Sequence, residues 1–223
     1  MTQSARPGES ATGSRVPDAL GEPLRQFFFE THTWVRPRAL AQMVGGAALP
    51  VEEGRAVDAG WRRAVAQLLP PRKLDTDLLC HDLRGRLALL SRADWLRLGL
   101  CVGVLSSCGQ IQRSMDGHFR RVVRQLLEEE AIQRLDQGVD VPAQKPVFLA
   151  GPGAWRAPEP LALAGVRAAM AQACPWPDAV ASRVRLHFEP EELEGAHSVS
   201  GLDMRWLEIA CKALWPDHPW LWS

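Results

Sequence analysis

The amino-acid sequence predicts a mainly α-helical fold, a single helical domain built on a central helical hairpin, with at most one or two short strands. The strongest indication is residues 87–138, the longest stretch in which apolar side chains recur at helical spacing. Shorter stretches with the same spacing flank it, and only residues 183–190 alternate apolar and polar side chains as a strand does. We therefore expect residues 24–223 to form the domain and residues 1–23 to be a disordered lead.

The first arm of the predicted hairpin, residues 87–108, has the composition of a core helix. Ser91 can cap its N-terminus, because a serine hydroxyl accepts a hydrogen bond from a backbone N–H of the first turn. Nearly every residue from 95 to 105 is apolar, and Gly99 and Gly103 are four residues apart. A helix that is apolar on most sides is buried on most sides.

The second arm is predicted to run from after Gly109 to Gly138 and to be amphipathic. Five apolar residues recur at steps of three or four and share one helical face: Ile111, Met115, Phe119, Val122 and Leu126. The charged residues fall largely off that face: Arg113, Arg120, Arg121, Arg124, Glu128, Glu129 and Glu130. The second arm should therefore pack its apolar face on the first arm and expose its charges.

The chain before the hairpin is predicted to become helical once the lead ends. Residues 1–23 are rich in Ser, Gly, Thr, Pro and Arg and have no periodic apolar pattern, which is typical of disorder. The first packed side chains should be an aromatic cluster of Phe27, Phe28, Phe29 and Trp34. Helices are then predicted from Pro37 to Gly45, through Trp61 and Val65 as far as Pro70, and from Asp77 to Leu90.

The chain after Gly138 changes character. Residues 139–160 are rich in proline and glycine and are predicted to form an extended connector. An alanine-rich helix should cover residues 161–174. In residues 183–190 the apolar Val184, Leu186 and Phe188 alternate with polar side chains, which predicts a half-buried strand.

The last predicted helix ends at Leu214 and begins at Ser200 or Asp203, either of which can cap it. Three tryptophans lie at or beyond its end: Trp215, Trp220 and Trp222. They could fold back on the core as a hydrophobic latch, or they could be anchor residues for a partner, since tryptophan is enriched in interface hot spots.

Composition and charge indicate which classes of partner the chain would attract and in which cellular compartment we expect it. The chain has 26 basic and 26 acidic residues, so no long-range field attracts nucleic acid or an anionic membrane. Five cysteines in a chain of this size favour a reducing compartment over a disulfide framework. The sequence shows neither a signal peptide nor an apolar stretch of the ~20 residues that a membrane span needs. We expect the protein to be cytoplasmic.

No motif predicts a cofactor, a metal or a catalytic site. The chain lacks a phosphate-binding glycine loop, and Cys80 and His81 are the only cysteine and histidine that are adjacent. An enzyme is still an alternative, because catalytic groups can assemble from distant residues. The candidate would be a small helical hydrolase that uses Cys174, or a serine, with one of the histidines.

The arginines of the second arm are the first candidate for partner binding. Arg113, Arg120, Arg121 and Arg124 could contact a protein, or they could form a solvated face with ion pairs such as Arg121 or Arg124 with Glu128, and Glu130 with Arg134. Trp220 and Trp222 are the second candidate. We predict partner binding by these six residues: Arg113, Arg120, Arg121, Arg124, Trp220 and Trp222.

Four segments together resemble a known family, the SctK proteins of bacterial type III secretion systems, also called YscK or OrgA. They are FFFETHTWVRPRAL, WLRLGLCVGVLSSCGQIQRSMD with the helix that follows it, GPGAW and RVRLHFEP. The second is the strongest, because it looks like the family's Leu-Gly-containing helix and its Ile-x-Arg continuation. The resemblance covers about residues 25 to 214, and its motifs are diffuse.

The resemblance implies a helical accessory protein of the sorting platform beneath the secretion needle complex. Such a protein is a non-enzymatic adaptor without a cofactor. It joins the cytoplasmic domain of the inner-membrane ring protein SctD to the pod protein SctQ, and through SctQ to the SctL stalk and the SctN ATPase. A secretion chaperone or regulator is a further alternative, although those proteins are usually small and acidic whereas this chain is neutral.

Overall fold

The computed structural model of the chain describes residues 18–45, 59–69, 74–113, 117–136, 147–148, 158–173, 176–194, 199–200, 202–218 and 221. The fold is mainly α-helical, as predicted. Its helices are α1 Gly21–Phe29, α2 Pro37–Met43, α3 Ala59–Leu68, α4 Thr76–His81, α5 Leu83–Leu87, α6 Arg92–Arg113, α7 Gly117–Leu127, α8 Glu129–Asp136, α9 Pro158–Ala173, α10 Asp178–Arg185, α11 Pro190–Leu193 and α12 Met204–Leu214. Two short strands, β1 Val147–Phe148 and β2 Val199–Ser200, pair in antiparallel orientation.

The centre of the fold is the crossing of α6 and α9, which pack on each other more extensively than any other two described elements. Glycines let the two backbones touch. A Cβ added to Gly99 would lie 2.2 Å from the carbonyl oxygen of Ala162, and a Cβ added to Gly165 would lie 1.9 Å from the carbonyl oxygen of Gly99. Any larger residue at either position would therefore separate the helices.

The buried face of α12 completes the core by packing on α6, α8 and α9. The predicted caps are confirmed at both α6 and α12. The hydroxyl of Ser91 accepts a hydrogen bond from the backbone N–H of Asp94 at 3.2 Å. The carboxylate of Asp203 accepts one from the backbone N–H of Trp206 at 3.1 Å. Each cap satisfies a donor that the first helical turn leaves without a partner.

The central hairpin differs from the prediction in its break point and in its packing. Helix α6 continues through Gly109 to Arg113, since a glycine inside a helix costs only about 1 kcal/mol and does not end it. The second arm is divided into α7 and α8 by Glu128, whose φ is 63°. The main partner of α6 is α9 and not the second arm, because the glycines of α6 face α9.

The buried face of the second arm is also displaced by one residue from the predicted face. Val123, Leu127 and Ala131 are buried, whereas Leu126, which was predicted to be buried, is 51% exposed. The side chains of Ile111, Met115, Phe119 and Val122 lie outside the described residues. Two overlapping apolar rows occur in this helix, and periodicity alone cannot tell which of them meets the core.

The N-terminal part forms the predicted aromatic cluster, except that Phe29 is 70% exposed, and it forms a smaller satellite core. Residues 18–23 are helical and Leu20 is buried, so this part of the predicted disordered lead is ordered; residues 1–17 lie outside the described part. The helices predicted to start at Pro37 and to pass through Trp61 are confirmed as α2 and α3, whereas residues 77–90 contain two short helices, α4 and α5, in place of one. The satellite core consists of Val35, Ala39, Leu40, Trp61, Val65 and Leu186.

The predicted strand over residues 183–190 is wrong. Residues 178–185 are helix α10, and the chain then turns into the short helix α11. Val180, Arg183 and Val184 form the buried face of α10 at helical spacing. The alternation in this segment is short, and its tertiary contacts override the local preference. The strand pairing occurs elsewhere, between β1 and β2, so Ser200 pairs with Val147 and does not cap α12.

Candidate partner-binding surface

Helices α7 and α8, called the arm below, carry two of the predicted site residues, Arg121 and Arg124, on an exposed face. The arm is held to the body from beneath by two arginines. Arg97 of α6 forms an ion pair of 2.9 Å with Glu128 at the break between the two helices. The Nε of Arg134 on α8 donates to the carbonyl oxygen of Ala213 at 2.8 Å, near the C-terminal end of α12, where the helix dipole favours a cation.

The outer face of the arm is charged, and Leu126 is the one large apolar side chain among its described exposed residues. Those residues are Gly117, Arg121, Arg124, Gln125, Leu126, Glu128, Glu130 and Gln133. Leu126 lies about 140° around α7 from Arg121 and about 160° from Arg124, so the leucine and the arginines occupy opposite edges of the exposed face. Arginine is enriched in protein interfaces.

Two of the six predicted site residues are described with their side chains, Arg121 and Arg124, and both are exposed on α7. The backbone of Arg113 ends α6 and that of Arg120 lies in α7, but their side chains lie outside the described residues, as do Trp220 and Trp222. The third tryptophan of the predicted tail, Trp215, is buried, which agrees with the latch.

Two residues of the predicted ion pairs, Glu128 and Arg134, contact other helices. Glu128 pairs with Arg97, and Arg134 donates to a carbonyl of α12. Sequence reasoning considered only partners within one helix, because those spacings can be counted. It also missed Leu126 as a surface residue, since its helical spacing is that of a core position.

Two buried polar side chains join the satellite core to the main core. The guanidinium of Arg183 donates to the carbonyl oxygen of Phe27 at 2.6 Å and to that of Leu69, and burial lowers its pKa to about 10. His187 stacks on Trp34 with ring centroids 4.0 Å apart. Neither ring nitrogen of His187 has a hydrogen-bond partner in the described structure. Both residues therefore act in packing.

The described cysteines do not have the environment of reactive thiols. Cys80, Cys101 and Cys211 are buried and free. Burial raises the pKa of all three thiols, that of Cys101 to about 12, whereas a nucleophilic cysteine needs a lowered pKa. The candidate nucleophile Cys174 lies outside the described residues.

Metal and membrane sites were sought in the same part of the chain. Within the described ranges, no three residues among histidine, cysteine, aspartate and glutamate are grouped so that they could hold a metal ion. Over the same ranges, no helix combines the length and the apolar character that crossing a bilayer demands.

The chain was also compared with protein-family models, with curated proteins and with solved structures, and none of them matches it.

Proposed function

We propose that this protein is a non-enzymatic adaptor of the type III secretion sorting platform. It would link the cytoplasmic domain of SctD to SctQ, and through SctQ to SctL and the SctN ATPase. The observation that carries the proposal is the arm, an exposed and charged helix pair at the end of the segment whose sequence most resembles the SctK family.

The way in which the arm is held suits protein binding. Its inner face is attached by buried Val123 and Leu127 and by Arg97 and Arg134, so its outer face is already in place before a partner arrives. Binding to an ordered surface avoids much of the entropy cost of ordering it. Leu126 supplies apolar area at one edge of the outer face, and Arg121 and Arg124 supply specificity through charge at the other.

The proposal also accounts for the balanced charge of the chain. A protein with 26 basic and 26 acidic residues has no field that would attract it to nucleic acid or lipid. In the proposed role it works in the cytoplasm and reaches the cytosolic face of the inner membrane through SctD, without inserting into the bilayer and without a cofactor.

The test measures binding of the purified protein to SctQ and to the cytoplasmic domain of SctD from the same bacterium. Reversing the charges of Arg121 and Arg124 to glutamate should weaken binding to at least one partner by about tenfold or more, as expected for a loss of charge complementarity at the interface. The matched control reverses Arg38 and Arg63, which are exposed on α2 and α3, and should bind as wild type does.

The possible outcomes distinguish the adaptor role of the protein from the assignment of the arm as its contact surface. If the wild-type protein binds neither SctQ nor SctD, the adaptor role is wrong. If it binds and the double variant binds equally well, the role stands and the arm is not the contact. Far-ultraviolet circular dichroism of each variant shows that the helices are retained.

A further inference from the structure

Helix α11 lies on the surface, yet several polar contacts hold it in place. It has four residues, and none of them is buried. Even so, Glu189 and Glu192 form a capping box at its start, and Arg92 of α6 pairs with the carboxylate of Glu192. Arg167 of α9 donates to the backbone carbonyls of Glu192 at 3.0 Å and of Glu194 at 3.1 Å. These contacts hold a short helix that adds little to the core.

Helix α11 lines two neighbouring cavities. A cavity of about 450 Å³ lies between α2, α10 and α11, and its apolar lining includes Met43, Leu186 and Phe188. A smaller cavity of about 200 Å³, next to α9 and α10, is lined by apolar side chains that include Met170 and Trp176. Arg185 and Leu193 line both cavities. The two cavities are therefore adjacent, and together they are called the α11 groove below.

Charge along the groove is concentrated at its middle. Arg185, at the end of α10, is exposed, and its guanidinium makes no hydrogen bond or ion pair within the described part of the chain. Arg167 also lines the smaller cavity but already donates to two carbonyls. Glu194 lines the larger cavity only. Within the part of the chain that the structure describes, Arg185, which lines both cavities, thus carries a cation that no carboxylate pairs with.

We propose that the α11 groove binds an acidic amphipathic segment of a partner protein. One apolar side chain of the segment fills each cavity, and a carboxylate between them pairs with Arg185. An arginine beside apolar walls binds a carboxylate well, because its planar guanidinium can donate two parallel hydrogen bonds. A single cation with Glu194 nearby is too little positive charge for nucleic acid or an anionic membrane.

The test selects peptides without assuming any partner. The full-length protein is immobilised and a phage library of random dodecapeptides is panned on it, with and without prior depletion on Arg185→Glu. We expect enriched peptides to carry an aspartate or glutamate with apolar residues on both sides, and depletion on the variant should leave them in the pool.

Fluorescence anisotropy with the most enriched peptide then measures the affinity. We expect Arg185→Glu to weaken binding by at least about tenfold, and a peptide with lysine in place of its acidic residue to recover binding to that variant. Arg38→Glu, an exposed arginine on α2 that lines neither cavity, is the matched control and should bind as wild type does.

Three results would overturn the proposal. They are the absence of any enrichment, the enrichment of basic or purely apolar peptides, and equal binding of the enriched peptides to wild type and to Arg185→Glu. Because no secretion protein takes part, the result is independent of whether the chain is an adaptor of the sorting platform.

Discussion

The α6–α9 crossing and the arm are held to the rest of the molecule in different ways. At the crossing, Gly99 and Gly165 bring the two backbones together among buried apolar residues of α6 and α9. In the arm, a narrow apolar row and two arginines hold the inner face while the outer face stays in water. The crossing therefore tolerates almost no change in volume, whereas the arm can vary its surface without loss of the fold.

The largest change in the free energy of unfolding is expected for a substitution at the α6–α9 crossing. Gly165→Ala should lower the free energy of unfolding by about 4 kcal/mol, because the added Cβ would lie 1.9 Å from a backbone oxygen that cannot move alone. The control is Gly117→Ala in the arm, where a Cβ meets nothing within 4 Å, and it should stay within about 0.5 kcal/mol of wild type. Urea unfolding followed by circular dichroism measures both, and equal losses would remove the distinction between the two regions.

The next effect compares the two faces of the arm itself. Leu127 is fully buried and Leu126 is 51% exposed, although the two residues are neighbours of the same type. Leu127→Ala should lower the free energy of unfolding by about 3 kcal/mol through lost burial and a cavity. Leu126→Ala should change it by about 0.5 kcal/mol or less. The reverse order in chemical denaturation would show that the other apolar row of the helix meets the core.

The contact of His187 with Trp34 is a third region. It differs from the crossing and the arm because its contribution to stability depends on pH. Burial, followed by the charges of Arg36 and Arg92, lowers the pKa of His187 from 6.5 to about 3. Between these values the unfolded chain binds a proton that the native chain does not, so stability falls as the pH falls. Relative to His187→Phe, which retains a ring on Trp34, wild type should lose about 2 kcal/mol between pH 7 and pH 5.

Unfolding curves of both proteins at several pH values test this expectation. The stability of wild type relative to His187→Phe should fall steadily below pH 6.5, the ordinary pKa of the group. A relative stability that is constant with pH would mean that folding does not lower the pKa of His187.

The smallest expected effect concerns the attachment of the arm. Arg134→Met removes the hydrogen bond to the carbonyl of Ala213 and should cost about 1 kcal/mol. The loss should be local: amides of α8 should exchange faster with solvent, while those of α6 and α9 keep their protection. Hydrogen exchange measured by mass spectrometry can separate these helices, and uniform loss of protection would show that arm and crossing unfold as one unit.

Signals that lie within a few residues of each other predicted much of the fold. Ser91, Asp203 and Pro37 start helices where expected, because capping and the fixed φ of proline act over one turn. The aromatic cluster around Phe27 and Trp34 also forms as predicted, with the two rings stacked 6.0 Å apart. Such features need no knowledge of the rest of the chain.

The candidate surface could be predicted only in part. The exposure of Arg121 and Arg124 follows from the charge pattern of the arm. The exposure of Leu126 and the pairing of Glu128 with Arg97 do not, because both depend on how the arm sits against α6. The α11 groove was missed entirely, since residues 183–190 were expected to be a strand.

By itself, the sequence determined the helical class, the helix starts and the charged character of the arm, because periodicity, capping and charge are local properties. Only the tertiary structure decided that α6 packs chiefly on α9, that Arg183 points inward and that Arg185 lines a groove two residues later. Which apolar face is buried and which cation stays in water depend on contacts between distant segments. Those contacts form where backbones can approach most closely, as at Gly99 and Gly165.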